Sequence, residues 1–322
     1  MANKTFLQAI RDAQYEEMQR DPRVFIMGED VECNMFGTTT SMIQDFGQDR
    51  VRDTPICEAG MTGVAAGAAM VGMRPIVDYT IAPFLYPAMD QIISIVAKSR
   101  FLYGGQAKVP VVLRANMIYG NGNAAQHSDR PYSMFMHMPG LKIMVPSNAY
   151  DMKGLMKTAI RDDDPVMSFE DVALWSTKSD IPDEEYLIPF GVADIKRPGK
   201  HCTVVAIGAM VAHALAAAKE LAEDGIELEV IDPRTVAPLD TATILESVSK
   251  TGRLVVVDAA FSRCSAASEI AAVIVEQGFS YLRAPVIRVN TADTHIPFSP
   301  SMEKPLYPNK TKVIEAVRRT LQ

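Results

Sequence analysis

Short apolar runs rich in β-branched residues alternate along this chain with longer stretches whose apolar positions recur at helical spacing. That alternation is the rhythm of parallel α/β structure. Thr5 reads as the cap of a first helix whose inner face carries Phe6, Ala9, Ile10 and Ala13. Strands are predicted at residues 24–27, 75–77, 110–113, 143–145 and 165–167, and helices over 61–71, 89–101 and 150–161. From about residue 174 to 200 the chain turns polar and gathers Pro182, Pro189 and Pro198, the composition of a linker. The rhythm then restarts. Strands are predicted at 203–206, 228–231, 254–257 and 286–289, with helices at 209–221, 241–249 (capped by Asp240), 265–275 and from about Thr311. The pattern predicts two α/β domains, each a mainly parallel sheet flanked by helices, over 1–180 and 198–322, joined through 181–197.

One helix stands apart. Gly60, Gly63, Ala65, Ala66, Gly67, Ala68 and Ala69 leave a face almost bare of side chains. A glycine inside a helix costs roughly 1 kcal/mol against alanine, so several need a compensating close approach. Either the helix packs tightly inside its own domain, or it crosses a second subunit.

Composition narrows the function classes. With 48% hydrophobic and 22% charged residues the chain is an ordinary globular protein, and its 322 residues suffice for two cores. A net charge of −7 without a Lys/Arg cluster argues against nucleic acid. No apolar run approaches ~18 residues, which argues against a membrane span, and a cytoplasmic protein is expected. Cys33, Cys57, Cys202 and Cys264 are scattered without a C-x-x-C pair, so neither a zinc site nor a disulfide framework is indicated.

Four segments could carry chemistry. Gly28-Glu29-Asp30 ends the first strand, and the carboxyl ends of parallel strands are where ligands bind. Glu58 lies just ahead of the small-residue helix; it serves either the helix dipole or a reaction. Phe84-Leu85-Tyr86-Pro87 follows a strand and offers either core packing or a flat surface for a heteroaromatic ring. The loop from Asn116 to Tyr132 contains Gly120-Asn121-Gly122-Asn123-Ala124-Ala125, which imitates a dinucleotide fingerprint but lacks the apolar helix and the acidic strand end that must follow. His127 in that loop is a candidate acid or base. The turn Asp162-Asp163-Asp164 is solvated, or its carbonyls hold a monovalent cation.

Together these segments resemble one family. Thr54-Pro55-Ile56-Cys57-Glu58-Ala59-Gly60, Phe84 to Gln91, Gly104-Gly105-Gln106, Ala124-Ala125-Gln126-His127-Ser128, Pro139-Gly140-Leu141-Lys142 and Ala159 to Pro165 are similar to the beta subunits of thiamine-diphosphate-dependent 2-oxoacid dehydrogenases, transketolase-like in fold. Val230 to Thr235, Pro238-Leu239-Asp240 and Pro297-Phe298-Ser299-Pro300 extend the likeness into the second domain. Within the family, Phe169-Glu170-Asp171 and Arg263-Cys264-Ser265 lean toward acetoin dehydrogenase beta subunits, while Ala-Ala-Gln-His-Ser is shared with pyruvate dehydrogenase.

The resemblance implies a pyrimidine-binding domain followed by a transketolase C-terminal domain. It implies that Glu58 meets N1′ of the cofactor's aminopyrimidine, that Phe84 packs on that ring, and that Glu29 and Ile56 belong to the same cofactor site. His127 would face the substrate and the incoming lipoyl group. Carbonyls of Val111, Ala159, Ile160, Asp162 and Asp164 would hold potassium. The diphosphate and its Mg²⁺ are held in such enzymes by a Gly-Asp-Gly segment, which this chain does not contain. The implied assembly therefore has two alpha and two beta chains, the alpha chain gripping Mg²⁺, and hands its product to a lipoyl-bearing acyltransferase core. One departure is the run Asp129-Arg130-Pro131 after His127-Ser128, where the family carries small polar residues. It sets opposite charges beside the substrate entrance and motivates one alternative, a carboligase or transketolase-type subunit without lipoyl transfer. A separate alternative is a non-catalytic assembly subunit, against which Glu58, Phe84 and His127 together argue.

Overall fold

The computed structural model describes every residue from Met1 to Gln322. Two compact units emerge: Met1–Ile118 with Phe135–Phe190, and Tyr119–Met134 with Gly191–Gln322. In chain order the first half contains β1 (Ala2–Thr5), α1 (Phe6–Arg20), β2 (Val24–Gly28), α2 (Met42–Phe46), β3 (Val51–Asp53), α3 (Glu58–Met70), β4 (Arg74–Ile81), α4 (Ser99–Leu102), β5 (Val112–Met117), α5 (Ala124–His127), α6 (Tyr132–Met136), β6 (Lys142–Met144), α7 (Ala149–Arg161), β7 (Val166–Asp171) and β8 (Lys178–Ile181).

In the first unit β6, β7, β5, β4, β2 and β3 lie side by side in that order, all parallel. Parallel strands covered on both faces are apolar throughout, and β2 (Val-Phe-Ile-Met-Gly) is buried at every position. Thr5 caps α1 as expected, in a reciprocal box with Gln8, and Phe6, Ala9, Ile10 and Ala13 are buried.

Three expectations shift. The helix over 89–101 is replaced by a π-helical stretch at Gln91–Val96 and the short α4, preceded by a 3₁₀ turn at Ala82–Ala88. The run Ile92, Ile93, Ile95, Val96 is β-branched and crowds an α-turn, and Ala97 N–H bonds the carbonyl of Ile92 instead. The strand placed at 110–113 lies at Val112–Met117, because Arg114 and Asn116, polar on paper, find partners on neighbouring strands. The small-residue helix begins at Glu58, three residues earlier than its apolar pattern suggested.

The second unit holds β9 (Asp194–Arg197), β10 (Cys202–Ala206), α8 (Met210–Glu223), β11 (Leu228–Asp232), β12 (Thr235–Ala237), α9 (Thr241–Thr251), β13 (Leu254–Phe261), α10 (Ala266–Gly278), β14 (Ile287–Thr291), α11 (Pro300–Glu303) and α12 (Lys310–Leu321). Its sheet runs β14-β13-β10-β11-β9, parallel except for β9, which lies within the stretch expected as linker and closes the edge antiparallel to β11. Asp240 caps α9 by accepting from Thr243 N–H. No helix is long and apolar enough to cross a membrane.

Candidate active site

The carboxyl edge of the first sheet gathers acids. In register, Gly28 at the end of β2 pairs with Asp53 on β3 and Asp78 on β4. A side chain at Gly28 would place its Cβ 2.4 Å from the Asp78 carbonyl oxygen, so only glycine lets β2 lie this close and deliver Glu29 at the edge. Glu29 is half-buried, and its Oε1 is shut from water without a hydrogen-bond donor. Its pKa is raised, first by burial and then by the charges of Glu58, Asp30 and Asp78. Glu29 and Glu58 are therefore electrostatic neighbours, brought together from two separate segments.

Glu58 opens α3 half-exposed, its carboxylate free of hydrogen bonds within the chain. Its carbonyl accepts from Thr62 Oγ1 at 2.5 Å, and that hydroxyl also meets the buried Tyr79 hydroxyl at 2.5 Å. Burial pushes the Tyr79 pKa up, with the Glu58 charge adding to the effect. The first turn of α3 is thus pinned to β4. Ile56, in the turn before the helix, is 82% exposed.

Beneath the acids lies an ion network that sequence reasoning missed. Register places Arg114 of β5 opposite Asp78 on β4 and Ser168 on β7, and Glu170 returns to the same face two residues after Ser168. Arg114 Nη1 donates to Asp78 Oδ2 at 2.7 Å, while Nε and Nη2 donate to the two oxygens of Glu170 at 2.9 and 2.6 Å. The guanidinium is 1% exposed. Burial works against its charge, yet Glu170 and Asp78 together raise its pKa above the usual value.

Asp78 also holds a strained residue. Thr80 has φ +66°, a conformation β-branched residues rarely adopt. Its N–H donates to Asp78 Oδ1 at 2.9 Å and its carbonyl accepts from Asn116 Nδ2 at 2.6 Å. Thr80 Oγ1 and Asn116 Oδ1 are themselves buried without donors or acceptors. Buried polar groups are nearly always satisfied. Three orphans at the carboxyl ends of β2, β4 and β5 (Glu29, Thr80, Asn116) leave hydrogen-bonding capacity at this edge unused within the chain. Phe84 lies half-buried on the 3₁₀ turn that follows Thr80.

The Gly63 and Gly67 side of α3 does not pack inside its unit. Cβ atoms built at Gly63 and Gly67 meet nothing within 4 Å, and Val64 is 63% exposed. Ala65, Ala66 and Ala69 do pack inside the unit, so internal packing accounts for the alanines of this helix but not for Gly63 and Gly67. Beside it a cleft of about 530 Å³ is lined by Phe25, Met27, Thr54, Cys57, Met61 and Val64, among others.

In the second unit, His127 ends the short α5 and is half-buried. The loop before it is tied down by Glu303, fully buried, whose carboxylate accepts from Gly120 N–H at 2.7 Å, Gly122 N–H at 2.9 Å and the Tyr307 hydroxyl at 3.0 Å. Arg130, expected as an entrance charge, is 5% exposed with its guanidinium 4.6 Å above the Tyr119 ring. It is an internal residue stacked on an aromatic face, a contact that strengthens when water is excluded. Tyr132 hydrogen-bonds Asp258, whose carboxyl pKa is pushed up by complete burial.

Four of the five carbonyls expected for potassium already accept hydrogen bonds within the chain. Ile160 and Asp162 carbonyls accept from Arg74 Nη1 at 3.0 and 2.8 Å. Ala159 accepts from Asp162 N–H at 3.3 Å, and Val111 from Val166 N–H at 3.0 Å. Asp164 has its carboxylate between Arg100 and Lys142. These residues do not fit a metal ion as they stand.

Comparison with known proteins identifies the family and the fold. The family model "Transketolase, pyrimidine binding domain" matches residues 3–174, and "Transketolase, C-terminal domain" matches 191–313. The chain is 42% identical to the acetoin:2,6-dichlorophenolindophenol oxidoreductase subunit beta of Bacillus subtilis, over 97% of this chain and 96% of that protein. It is 44% identical to the pyruvate dehydrogenase E1 component subunit beta of Rickettsia felis, over 98% and 97%. A solved split-gene transketolase, described as an inactive beta4 tetramer, superposes with a TM-score of 0.81 at 24% identity, covering 98% of each chain, and so shares the fold. The chain belongs to the beta-subunit family of the thiamine-diphosphate-dependent 2-oxoacid dehydrogenases, built on the transketolase fold.

Proposed function

We propose that this chain is the beta half of a dehydrogenase that cleaves the C–C bond beside a carbonyl in a 2-oxoacid or acetoin and passes the fragment to a lipoyl group. Thiamine diphosphate supplies the electron sink for that cleavage when bound. Glu58 would share a proton with N1′ of the aminopyrimidine, held in place by the pinned first turn of α3. Glu29, already disposed to keep a proton by burial and by the Glu58 charge, would stand behind it as a second acid. Phe84 and Ile56 would border the ring, and Thr80 and Asn116 offer their orphan oxygens to it. His127 would face substrate and lipoyl group, its loop fixed by Glu303. Mg²⁺ and the diphosphate belong, in this reading, to an alpha chain that covers the open face of α3, with two copies of each chain in the assembly and a lipoyl-bearing acyltransferase as acceptor. Four unpaired cysteines suit a reducing cytoplasm. No step is assigned to potassium.

The observation that carries the reading is the Glu29–Glu58 pair, two neighbouring acids at a strand edge with a buried oxygen left unsatisfied. The carboligase alternative drew on Asp129-Arg130, and with Arg130 buried on Tyr119 that motive lapses. The test is Glu58→Gln in the assembly with its alpha partner, reading exchange of the thiazolium C2 proton by NMR. Exchange slows by about 10²–10⁴-fold, the usual loss for an acid-base group. Exchange at the normal rate would remove Glu58 from the reaction.

A further inference from the structure

Helix α7 ends at Arg161 in a turn whose last carbonyls point away from the helix, the negative end of its dipole. Such a terminus, followed by three aspartates, calls for a positive charge. The family's implied answer is a potassium ion, yet Arg74 at the start of β4 is already there. Its Nη1 bridges the Ile160 and Asp162 carbonyls at 3.0 and 2.8 Å, and its Nη2 reaches Asp163 Oδ1 at 2.7 Å. The side chain is 13% exposed, so this is a packed arrangement and not a surface arm.

We propose that the Arg74 guanidinium replaces the monovalent cation at this turn, and that the chain needs no potassium there. The guanidinium carries the same single charge to two of the five expected ligands. It spreads that charge over several donors in a fixed fork, so it ties α7, the aspartate turn and β4 together as an ion would. Two further ligands, the Ala159 and Val111 carbonyls, accept from backbone N–H groups. Charge balance leaves no vacancy either. Asp21, Asp162, Asp163 and Asp164 face Arg23, Arg74, Arg100, Lys108 and Lys142 across contacts of 3.9 Å or less. A metal ion bound to the Ile160 and Asp162 carbonyls would lie beside the guanidinium those oxygens already accept from, and the aspartates of the turn are already paired, so no free carboxylate offsets the repulsion. The proposal does not depend on the reaction assigned above, because its test reads ion binding and heat stability.

The experiment compares thermal unfolding of the wild-type chain, in its assembly, in KCl, NaCl and choline chloride at equal ionic strength, and locates thallium(I) by anomalous diffraction in soaked crystals. Wild type unfolds at one temperature in all three salts and shows no thallium at the Ile160 and Asp162 carbonyls. Arg74→Met loses about 5 °C in choline chloride, regains most of it in KCl but not NaCl, and binds thallium at that turn. A thallium peak on those carbonyls in wild type would overturn the proposal. So would an Arg74→Met variant whose Tm is the same in every salt. Should Arg74→Met fail to fold, the wild-type thallium result decides alone.

Discussion

Replacing Arg114 by methionine tests how the acidic edge is supported. The side chain is 1% exposed and neutralises two carboxylates that are themselves 7% and 0% exposed. Methionine fills much of the same space, so the cavity contribution is small. What remains is electrostatic. Removing one partner of a buried ion pair costs about 3–5 kcal/mol, because the other charge is left without compensation. Here one substitution strands Asp78 and Glu170 together, which places the loss near the upper end, about 5 kcal/mol. For a unit of this size each kcal/mol shifts Tm by roughly 2–4 °C, so a fall of roughly 10–20 °C is expected. Calorimetry on the assembly measures it directly. The companion variant Arg114→Met/Asp78→Asn/Glu170→Gln removes the charges as a set and recovers much of the loss, since neutral partners carry a far smaller desolvation cost. Activity does not return with stability, because a neutral asparagine in place of Asp78 grips the Thr80 N–H less firmly than the carboxylate does. A single variant that loses less than ~1 kcal/mol, or a triple variant no more stable than the single one, would refute the assignment of Arg114 as the electrostatic keystone.

Two further predictions concern the site and the assembly. Glu29 has a raised pKa in the folded chain, so its ionisation opposes folding: the cost is absent below the ordinary carboxylate range, grows as pH rises through it, and is complete above the folded pKa. Glu29→Gln is therefore at least as heat-stable as wild type at pH 8 and loses that advantage near pH 4, while its turnover drops; an unfolding temperature below wild type at pH 8 would contradict the burial argument. A Cβ at Gly67 meets nothing inside its own chain, so with Gly67→Leu the isolated chain folds normally, but native mass spectrometry with the alpha partner shows loss of the tetramer. Normal assembly of that variant would free α3 from the interface.

What the sequence made legible was whatever depended on nearest neighbours. Thr5 and Asp240 are caps in both pattern and structure, and the apolar faces of α1 and α8 follow from spacing alone. Glu29 and Glu58 were visible because each ends or begins an element, where ligands gather. Arg114 was not, because an arginine inside Val-Leu-Arg-Ala-Asn-Met argues for the end of a strand until the register supplies Asp78 and Glu170. Glu303 lies 183 residues from the Gly120 amide that it holds, and no local signal connects the two. Arg74 is hidden for a third reason: likeness assigns the carbonyls it occupies to an ion, and likeness does not show what this chain supplies in its place. Thr80 was unreadable in principle, since threonine is among the residues least expected at positive φ.

That threonine has a practical consequence. A directed-evolution library scored only for survival after heating will enrich glycine or asparagine at codon 80, because either relaxes the kink and neither buries an unused hydroxyl. Such winners would be sturdier proteins and poorer catalysts. Any campaign to toughen this chain has to screen turnover in the same round, or it will discard the feature that keeps the acidic strand edge in shape.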